Sequence, residues 1–252
     1  MKPYQHFARH YHTGPYIQFT NWVYKDVFPH ILETLQFAPA SLLDLACGSG
    51  VFAIHMAKQG LTVTGLDASA DMLEIARSSA KEQAAPVQWL HQDMSKLDLP
   101  VQFDCVTSFF DSLNYLLKVS ELSDTFKAAF RQLNPGGYFI FDMNTIYGLA
   151  VSWQRSPHFI PQDLPDYLEV AENSYDYENG IAQMRIIMFE RDGKYWVRHE
   201  ELHKERGYAM EDIMLLLQQA GFEIRLLVGN PMQMTPLSGK DDRLWIAAQK
   251  PR

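Results

Sequence analysis

The run Leu42-Leu43-Asp44-Leu45-Ala46-Cys47-Gly48-Ser49-Gly50 constrains this chain more than any other segment: an apolar strand ends on an acid, enters a glycine loop, and a helical run follows from Val51. A tight turn from strand to helix takes backbone angles that a side chain resists, and it lets a ligand approach the main chain closely. Strand and helix signals then alternate from about Ser41 to Asn144, with strands expected at 41–46, 61–66, 87–90, 103–108 and 137–142. That alternation predicts an α/β fold built on a doubly wound parallel sheet with crossover helices. The clearest helix is expected over 121–133, where Leu122, Phe126, Ala129, Phe130 and Leu133 share a face and Asn134-Pro135-Gly136-Gly137 ends it.

Gly48, Gly50 and Ala53 fit the dinucleotide pattern G-x-G-x-x-G/A, and Asp67 stands where a ribose-binding acid is expected. A pyrophosphate, however, brings negative charge to the loop, and a carboxylate at Asp44 would repel it. S-adenosylmethionine carries a sulfonium and an ammonium and no phosphate. The same carboxylate then attracts the ligand, while Asp67 can still accept from both ribose hydroxyls. The charge argument therefore favours S-adenosylmethionine over a dinucleotide.

The ordered series Leu42 to Gly50, Gly65-Leu66-Asp67-Ala68-Ser69, His91-Gln92-Asp93-Met94, Phe103-Asp104-Cys105-Val106 and Leu133-Asn134-Pro135-Gly136-Gly137 resembles the class I S-adenosylmethionine-dependent methyltransferases. Asp111-Ser112-Leu113-Asn114-Tyr115-Leu116, Phe141-Asp142-Met143-Asn144 and the aromatic N-terminus from Tyr4 to Trp22 resemble a bacterial small-molecule subgroup, and the layout is more distantly similar to N-methyltransferases of nucleotide-linked amino sugars. The resemblance spans nearly the whole chain and is specific for the cofactor half. It implies a Rossmann-like, mostly parallel seven-stranded sheet whose last strand is antiparallel. It also implies that Asp44, Ala46, Gly48 and Gly50 cradle the methionine portion, that Asp67 binds the ribose, and that Asp93 and the Met94 backbone hold the adenine. Cys47, Ala68 and Met72 stand beside them, Tyr11 and Trp22 match aromatic positions used over the methionine end, and Phe109 follows the fourth strand on the substrate side. The side chains of Met72 and Met94 fit core packing equally well. Where relatives that methylate planar amide-like nitrogens carry Asn/Asp-Pro-Pro-Tyr, this chain reads Ser108-Phe109-Phe110-Asp111, which disfavours those substrates.

Between Tyr147 and Tyr208 the periodicity changes. Segments 167–176, 181–190 and 194–204 read as three β segments joined by Glu178-Asn179-Gly180 and Arg191-Asp192-Gly193. They predict a small antiparallel β insertion, 147–207, lying beside the cofactor as a lid. The cofactor-binding core with its N-terminal helices is then 1–146, and 208–252 supplies a helix at 210–220 and two strands that complete the sheet. The free strand edges of the lid could also join two copies into a homodimer.

His199-Glu200-Glu201-Leu202-His203 matches the H-E-x-x-H zinc signature, but that motif works on a helix. Here it follows Lys194 to Arg198, which reads as a strand, so no metal site is expected. On a strand His199, Glu201 and His203 share one face, and His199 or His203 could take a proton from an acceptor if that face meets the cleft. Asn114 and Tyr115, with Asp111 and Asn144, are further candidates for orienting substrate. Methyl transfer is an in-line displacement that needs an aligned lone pair and no leaving-group acid, so proximity alone can carry much of the rate.

A chain of 252 residues, 47% apolar, can bury a full core. A net charge of -8 argues against a general nucleic-acid binder. The absence of a long apolar run and of a signal-peptide core, with two cysteines in unpaired settings, leads to the expectation of a cytoplasmic protein with no membrane span. The expected partner is a small-molecule methyl acceptor. An RNA or protein methyltransferase, or a binder of the cofactor without turnover, stays open.

Overall fold

In the computed structural model, β1 (Ser41–Leu45) lies between β4 and β2, and the remaining elements are placed outward from it. The structure describes residues 3–252, so Met1 and Lys2, the first residues of the expected cofactor half, lie outside it. Three short helices precede the sheet, α1 (Phe7–Thr13), α2 (Ile17–Trp22) and α3 (Phe28–Thr34). A π-helical turn, Val23–Val27, joins α2 to α3, and Pro29 falls in the first turn of α3, where its missing N–H costs nothing.

The alternation then runs as expected: α4 (Val51–Lys58), β2 (Thr62–Asp67), α5 (Ala70–Glu82), β3 (Val87–His91), β4 (Phe103–Ser108), α6 (Val119–Gln132) and β5 (Leu133–Asn144). The antiparallel insertion holds β6 (His158–Leu164), β7 (Tyr167–Asp176), β8 (Ile181–Asp192) and β9 (Tyr195–Arg206). After it come α7 (Met210–Ala220), β10 (Glu223–Asn230), the two-residue β11 (Thr235–Pro236) and β12 (Arg243–Gln249).

The large sheet has the order β11-β10-β12-β5-β4-β1-β2-β3. Strands β1 to β5 pair in parallel, and β12 inserts antiparallel between β5 and β10. This is the Rossmann-like seven-stranded arrangement, with β11 added as a short edge. Alternation along each strand sends side chains to opposite faces. Leu43, Leu45, Val106, Phe139 and Phe141 pack under α6 and α7, while Leu42, Val63, Cys105, Ile140 and Trp245 pack under α3 and α4. Each fully buried large apolar side chain contributes about 1.5–3 kcal/mol. Both faces are covered, as a parallel sheet requires.

The second sheet has the order β6-β7-β8-β9, all antiparallel. It holds four strands where the sequence pattern suggested three. β6 escapes that pattern because Pro161 sits inside it, a bulge interrupts its pairing between Phe159 and Gln162, and most of its residues are exposed, so no alternation marks it. The turns at Gly180 and Gly193 take φ of +68° and +61°. Among the described residues no helix is long and apolar enough to cross a membrane.

Candidate functional site

Open α/β sheets bind ligands beyond the carboxyl ends of their strands, and here a cavity of about 1040 Å³ opens at that edge. Asp44 near the end of β1, Asp67 ending β2, Asp93 just after β3 and Phe109 just after β4 all line it. The loop after β1 turns through left-handed conformations at Ala46 (φ +53°), Gly48 (φ +55°) and Gly50 (φ +79°). A Cβ on Gly48 would meet nothing within 4 Å, so bare backbone forms the cavity wall there. Gly50 has a different reason: a Cβ would come within 2.5 Å of the Trp89 ring and 2.9 Å of Ala76. Gly65 of β2 would meet the same indole at 2.5 Å. Trp89 thus occupies the room that two glycines leave beneath the loop.

Asp44 is buried and accepts a 2.9 Å hydrogen bond from the Thr107 hydroxyl of β4. Burial pushes its carboxyl up to about 7, although the Thr107 bond works against this. A cation beside it would favour the ionised form. Asp67 is raised by burial as well, partly offset by backbone N–H donors at Ser69 and Gly48, each 2.8 Å away. Asp93 accepts from the Ser95 N–H and hydroxyl through Oδ1. Acids at both ends of a long cleft, bare loop backbone and, among the described lining residues, no basic side chain except His91 suit a cationic, phosphate-free ligand such as S-adenosylmethionine.

A second cavity of about 500 Å³ adjoins the first, and Tyr4, Tyr11, Phe110 and Tyr115 line both. Its far wall comes from the small sheet: Met184 and Ile186 of β8, His203 and Glu205 of β9. Phe110 (φ +60°) and Asp111 (φ +50°) are consecutive non-glycine residues in the left-handed region. Asp142 of β5 holds them there, accepting from the Phe110 N–H at 2.7 Å and the Asp111 N–H at 3.1 Å. Arg243 of β12 bonds to Asp142 and, at 2.7 Å, to Asp111. Burial and the Asp111 charge raise the Glu205 carboxyl well above its usual range, while Asn144 donates to it at 2.8 Å.

The N-terminal segment crosses over both cavities and is tied to the small sheet. Glu201 of β9, only 1% exposed, accepts backbone N–H bonds from Tyr4, Gln5, His6 and Phe7 at 2.6–3.0 Å. The last two lie at the start of α1, so the carboxylate caps that helix from another element. Burial alone would raise this carboxyl, but these donors and His203 hold it below its usual value.

Most of the residues singled out in the sequence come together here. Tyr11, Asp44, Ala46, Cys47, Gly48, Asp67, Ala68, Met72, Asp93, Met94 and Phe109 line the larger cavity. Met72 and Met94 line that cavity and are also buried core residues. Gly50 shapes the loop from behind the wall. Trp22 stands away from the cavity, 36% exposed and edge-on to Trp245, because α2 turns that side chain toward β12. Asn114 is fully buried as a staple: its amide donates to the Asn144 and Arg206 carbonyls and accepts from the Asn144 N–H. His199 and His203 lie on strand β9 and diverge in setting. His199 stacks on His6, whereas His203 lines the inner cavity and bonds Tyr115. The H-E-x-x-H run is therefore on a strand, and no cluster of three ligand side chains occurs among the described residues.

The sequence marks Glu201 only as a member of the His199 and His203 face and Tyr4 only as the first of the N-terminal aromatics. Extending that period-two face by one step reaches Glu205; nothing local marks Arg243.

The model of the methyltransferase domain matches residues 42–137. "Putative methyltransferase YqeM" of Bacillus subtilis (strain 168) is 31% identical over 252 aligned residues, covering 98% of this chain and 97% of its own. The dTDP-3-amino-3,4,6-trideoxy-alpha-D-glucopyranose N,N-dimethyltransferase of Streptomyces venezuelae is 36% identical over 195 residues, 76% of this chain and 79% of its own. A crystal structure of an S-adenosylmethionine-dependent methyltransferase from Clostridium acetobutylicum ATCC 824 superposes with a TM-score of 0.80 at 27% identity, covering 94% of this chain and 99% of that one.

Proposed function

Since this chain belongs to the S-adenosylmethionine-dependent methyltransferases, we propose that it moves the methyl group to an amine nitrogen of a small molecule seated in the inner cavity. The observation that carries this reading is the chemistry of that cavity. Asp111 and Glu205 line it, and Arg243, the one Lys or Arg among its described lining residues, is already bonded to Asp111 and Asp142. Around them stand the rings of Tyr4, Tyr11, Tyr16 and Phe110. Acids and ring faces attract a cation, and an amine becomes a methylammonium as it accepts the group. The N,N-dimethyltransferase relative supports nitrogen over oxygen.

In this reading Asp44 takes the ammonium of the cofactor, Asp67 the ribose hydroxyls, and Asp93 with the Met94 backbone the adenine. Bare backbone at Gly48 lets the methionine portion lie close, and Tyr11 closes over it. Tyr4, Tyr11, Phe110 and Tyr115, shared by the two cavities, exclude water from the transfer path.

The test is transfer of labelled methyl from S-adenosylmethionine into a cell extract, separated into small-molecule and macromolecular fractions, with the labelled product read by carbon NMR. An N-methyl signal in the small fraction, lost with Asp67→Ala, is expected. An O-methyl signal overturns the choice of atom, and label confined to macromolecules overturns the small-molecule reading. Cofactor binding without any transfer would make the protein a binder.

A further inference from the structure

Tyr4, Tyr115, His203 and Glu201 form one polar chain that starts at the junction of the two cavities. The Tyr4 and Tyr115 hydroxyls are 3.0 Å apart, and the Tyr115 hydroxyl is 3.0 Å from His203 Nδ1. His203 is 4% exposed, and its Nε2 lies 3.3 Å from Glu201 Oε2, near it but not aligned on it as a hydrogen bond. The edge-on rings of Tyr4 and Phe7 fix the imidazole plane.

A ring nitrogen facing a carboxylate carries its proton there, because a lone pair would be repelled. Glu201 is ionised, with four backbone N–H donors on it. That places the proton on Nε2 and leaves Nδ1 as the acceptor. Tyr115 must then donate to Nδ1, so the Tyr4 hydroxyl, 3.0 Å away, donates to the Tyr115 oxygen, whose second acceptor position is left for a ligand in the cavities. Burial raises the phenols of Tyr4 and Tyr115, so neither ionises by itself. A proton reaching Tyr115 has to travel on.

We propose that Tyr115, backed by His203 and Glu201, removes the proton from the acceptor's ammonium form before methyl transfer. This rests on the amine reading above. An alkylamine resembles the lysine side chain, with a pKa near 10.4, and enters protonated at neutral pH. Its N–H proton passes to the Tyr115 oxygen while the Tyr115 proton passes to His203 Nδ1, leaving an imidazolium beside Glu201. The freed nitrogen pair forms the N–C bond, the C–S bond breaks with its electrons going to sulfur, and the product leaves as a methylammonium. His203 later returns its proton to solvent through the same path. Tyr115 touches the acceptor; His203 and Glu201 are positioning residues that act through it. Among the described residues, the other titratable groups near this chain are Glu205 on the same strand, Asp111 after β4, Asp67 ending β2, Tyr11 and Tyr16 of the N-terminal segment, and Arg243 on β12.

The test uses the full-length enzyme and the amine-containing small-molecule fraction that it labels, from pH 6.5 to 10, with Tyr115→Phe, His203→Gln and the double variant. Each single variant is expected to lower kcat about 100-fold at pH 7, within the usual range for a lost acid–base group. Near pH 10, where the amine is already free base, the loss should shrink to within about threefold. The double variant should lose no more than either single one. Cofactor affinity should stay within about twofold of wild type, which separates chemistry from misfolding. Nitrogen NMR of wild-type protein with labelled histidine supplies a readout that needs no acceptor: His203 should carry its proton on Nε2. A loss equal at all pH values, multiplicative losses in the double variant, or a proton on Nδ1 overturns the relay alone. A wild-type enzyme that labels no amine overturns the amine reading and the relay with it.

Discussion

Replacing Asp44 with asparagine should stabilise the ligand-free protein while crippling its use of the cofactor. The carboxyl is 3% exposed and sits at about 7 in the folded chain against 3.8 when unfolded. Between those two values the folded protein binds a proton that the unfolded chain has released. The contribution of Asp44 to stability is therefore fully present below pH 3.8 and is lost as pH rises to about 7. At about 1.36 kcal/mol per pH unit, the ionised acid costs the ligand-free fold up to about 4 kcal/mol above pH 7 and roughly 1.6 kcal/mol at pH 5. Asparagine removes that cost and keeps an oxygen to accept from Thr107, which lies 2.9 Å away. For a chain of this size each kcal/mol moves Tm by about 2–4 °C, so Asp44→Asn should gain roughly 8–16 °C at pH 8 and roughly two-fifths of that at pH 5. Scanning calorimetry without ligand reads both. Calorimetric titration with S-adenosylmethionine should show a loss of about 30-fold or more in affinity, as expected when one partner of a buried charge pair is removed. In the wild type, affinity should fall about tenfold from pH 8 to pH 6 as Asp44 takes up its proton. No gain in Tm at pH 8, or an equal gain at both pH values, would refute the reasoning.

Two other substitutions test the scaffold of the site. Asn114→Ala leaves the Asn144 N–H and the Asn144 and Arg206 carbonyls without their partner, and should cost about 3 kcal/mol or more by denaturant titration. Its cofactor affinity should stay within about threefold of wild type, since the residue touches neither the loop nor Asp67; a loss of affinity with unchanged stability would reverse that assignment. Gly50→Ala puts a Cβ into the Trp89 ring at φ +79°, and should cost about 2 kcal/mol or more through strain and crowding. A Tm within about 2 °C of wild type would show that Trp89 does not fill the space beneath the loop.

The elements that were readable are those whose signals are local. The expected 103–108 strand and the 210–220 helix coincide with β4 and α7, and Gly221 caps α7 at φ +102°. Both hairpin turns lie where their Asn-Gly and Asp-Gly pairs announced them. The unreadable parts depend on partners far along the chain. Glu201 meets the N-terminal segment 194 to 197 positions away, and Arg243 reaches Asp111 across 132 positions. No local pattern encodes either contact. Asp111 tolerates the left-handed region, but Phe110 before it does not announce a second such residue; Asp142 imposes the pair from a neighbouring strand. Trp22 shows the limit of position matching: its type suits a cofactor wall, but the axial rotation of α2 decides what it meets, and that rotation is set by packing on Trp245. β5 begins at Leu133, four residues before the expected start, because Asn134-Pro135-Gly136 stays within the strand as a bulged entry instead of a loop.

The two sheets share no strand pairing. Side chains on the inner face of β7 to β9 can therefore be exchanged without shifting the register of β1 to β5, which carries the loop and the acids at its edge. On the proposed reading, acceptor preference and cofactor use are separable inheritances in such a molecule: one sheet can drift toward new acceptors while the other stays under constant demand. Glu201 is the exception. Because one carboxylate fastens the N-terminal segment and also faces His203, it is the position where diversification of the small sheet would be penalised twice, and a library that varies β9 should leave it alone.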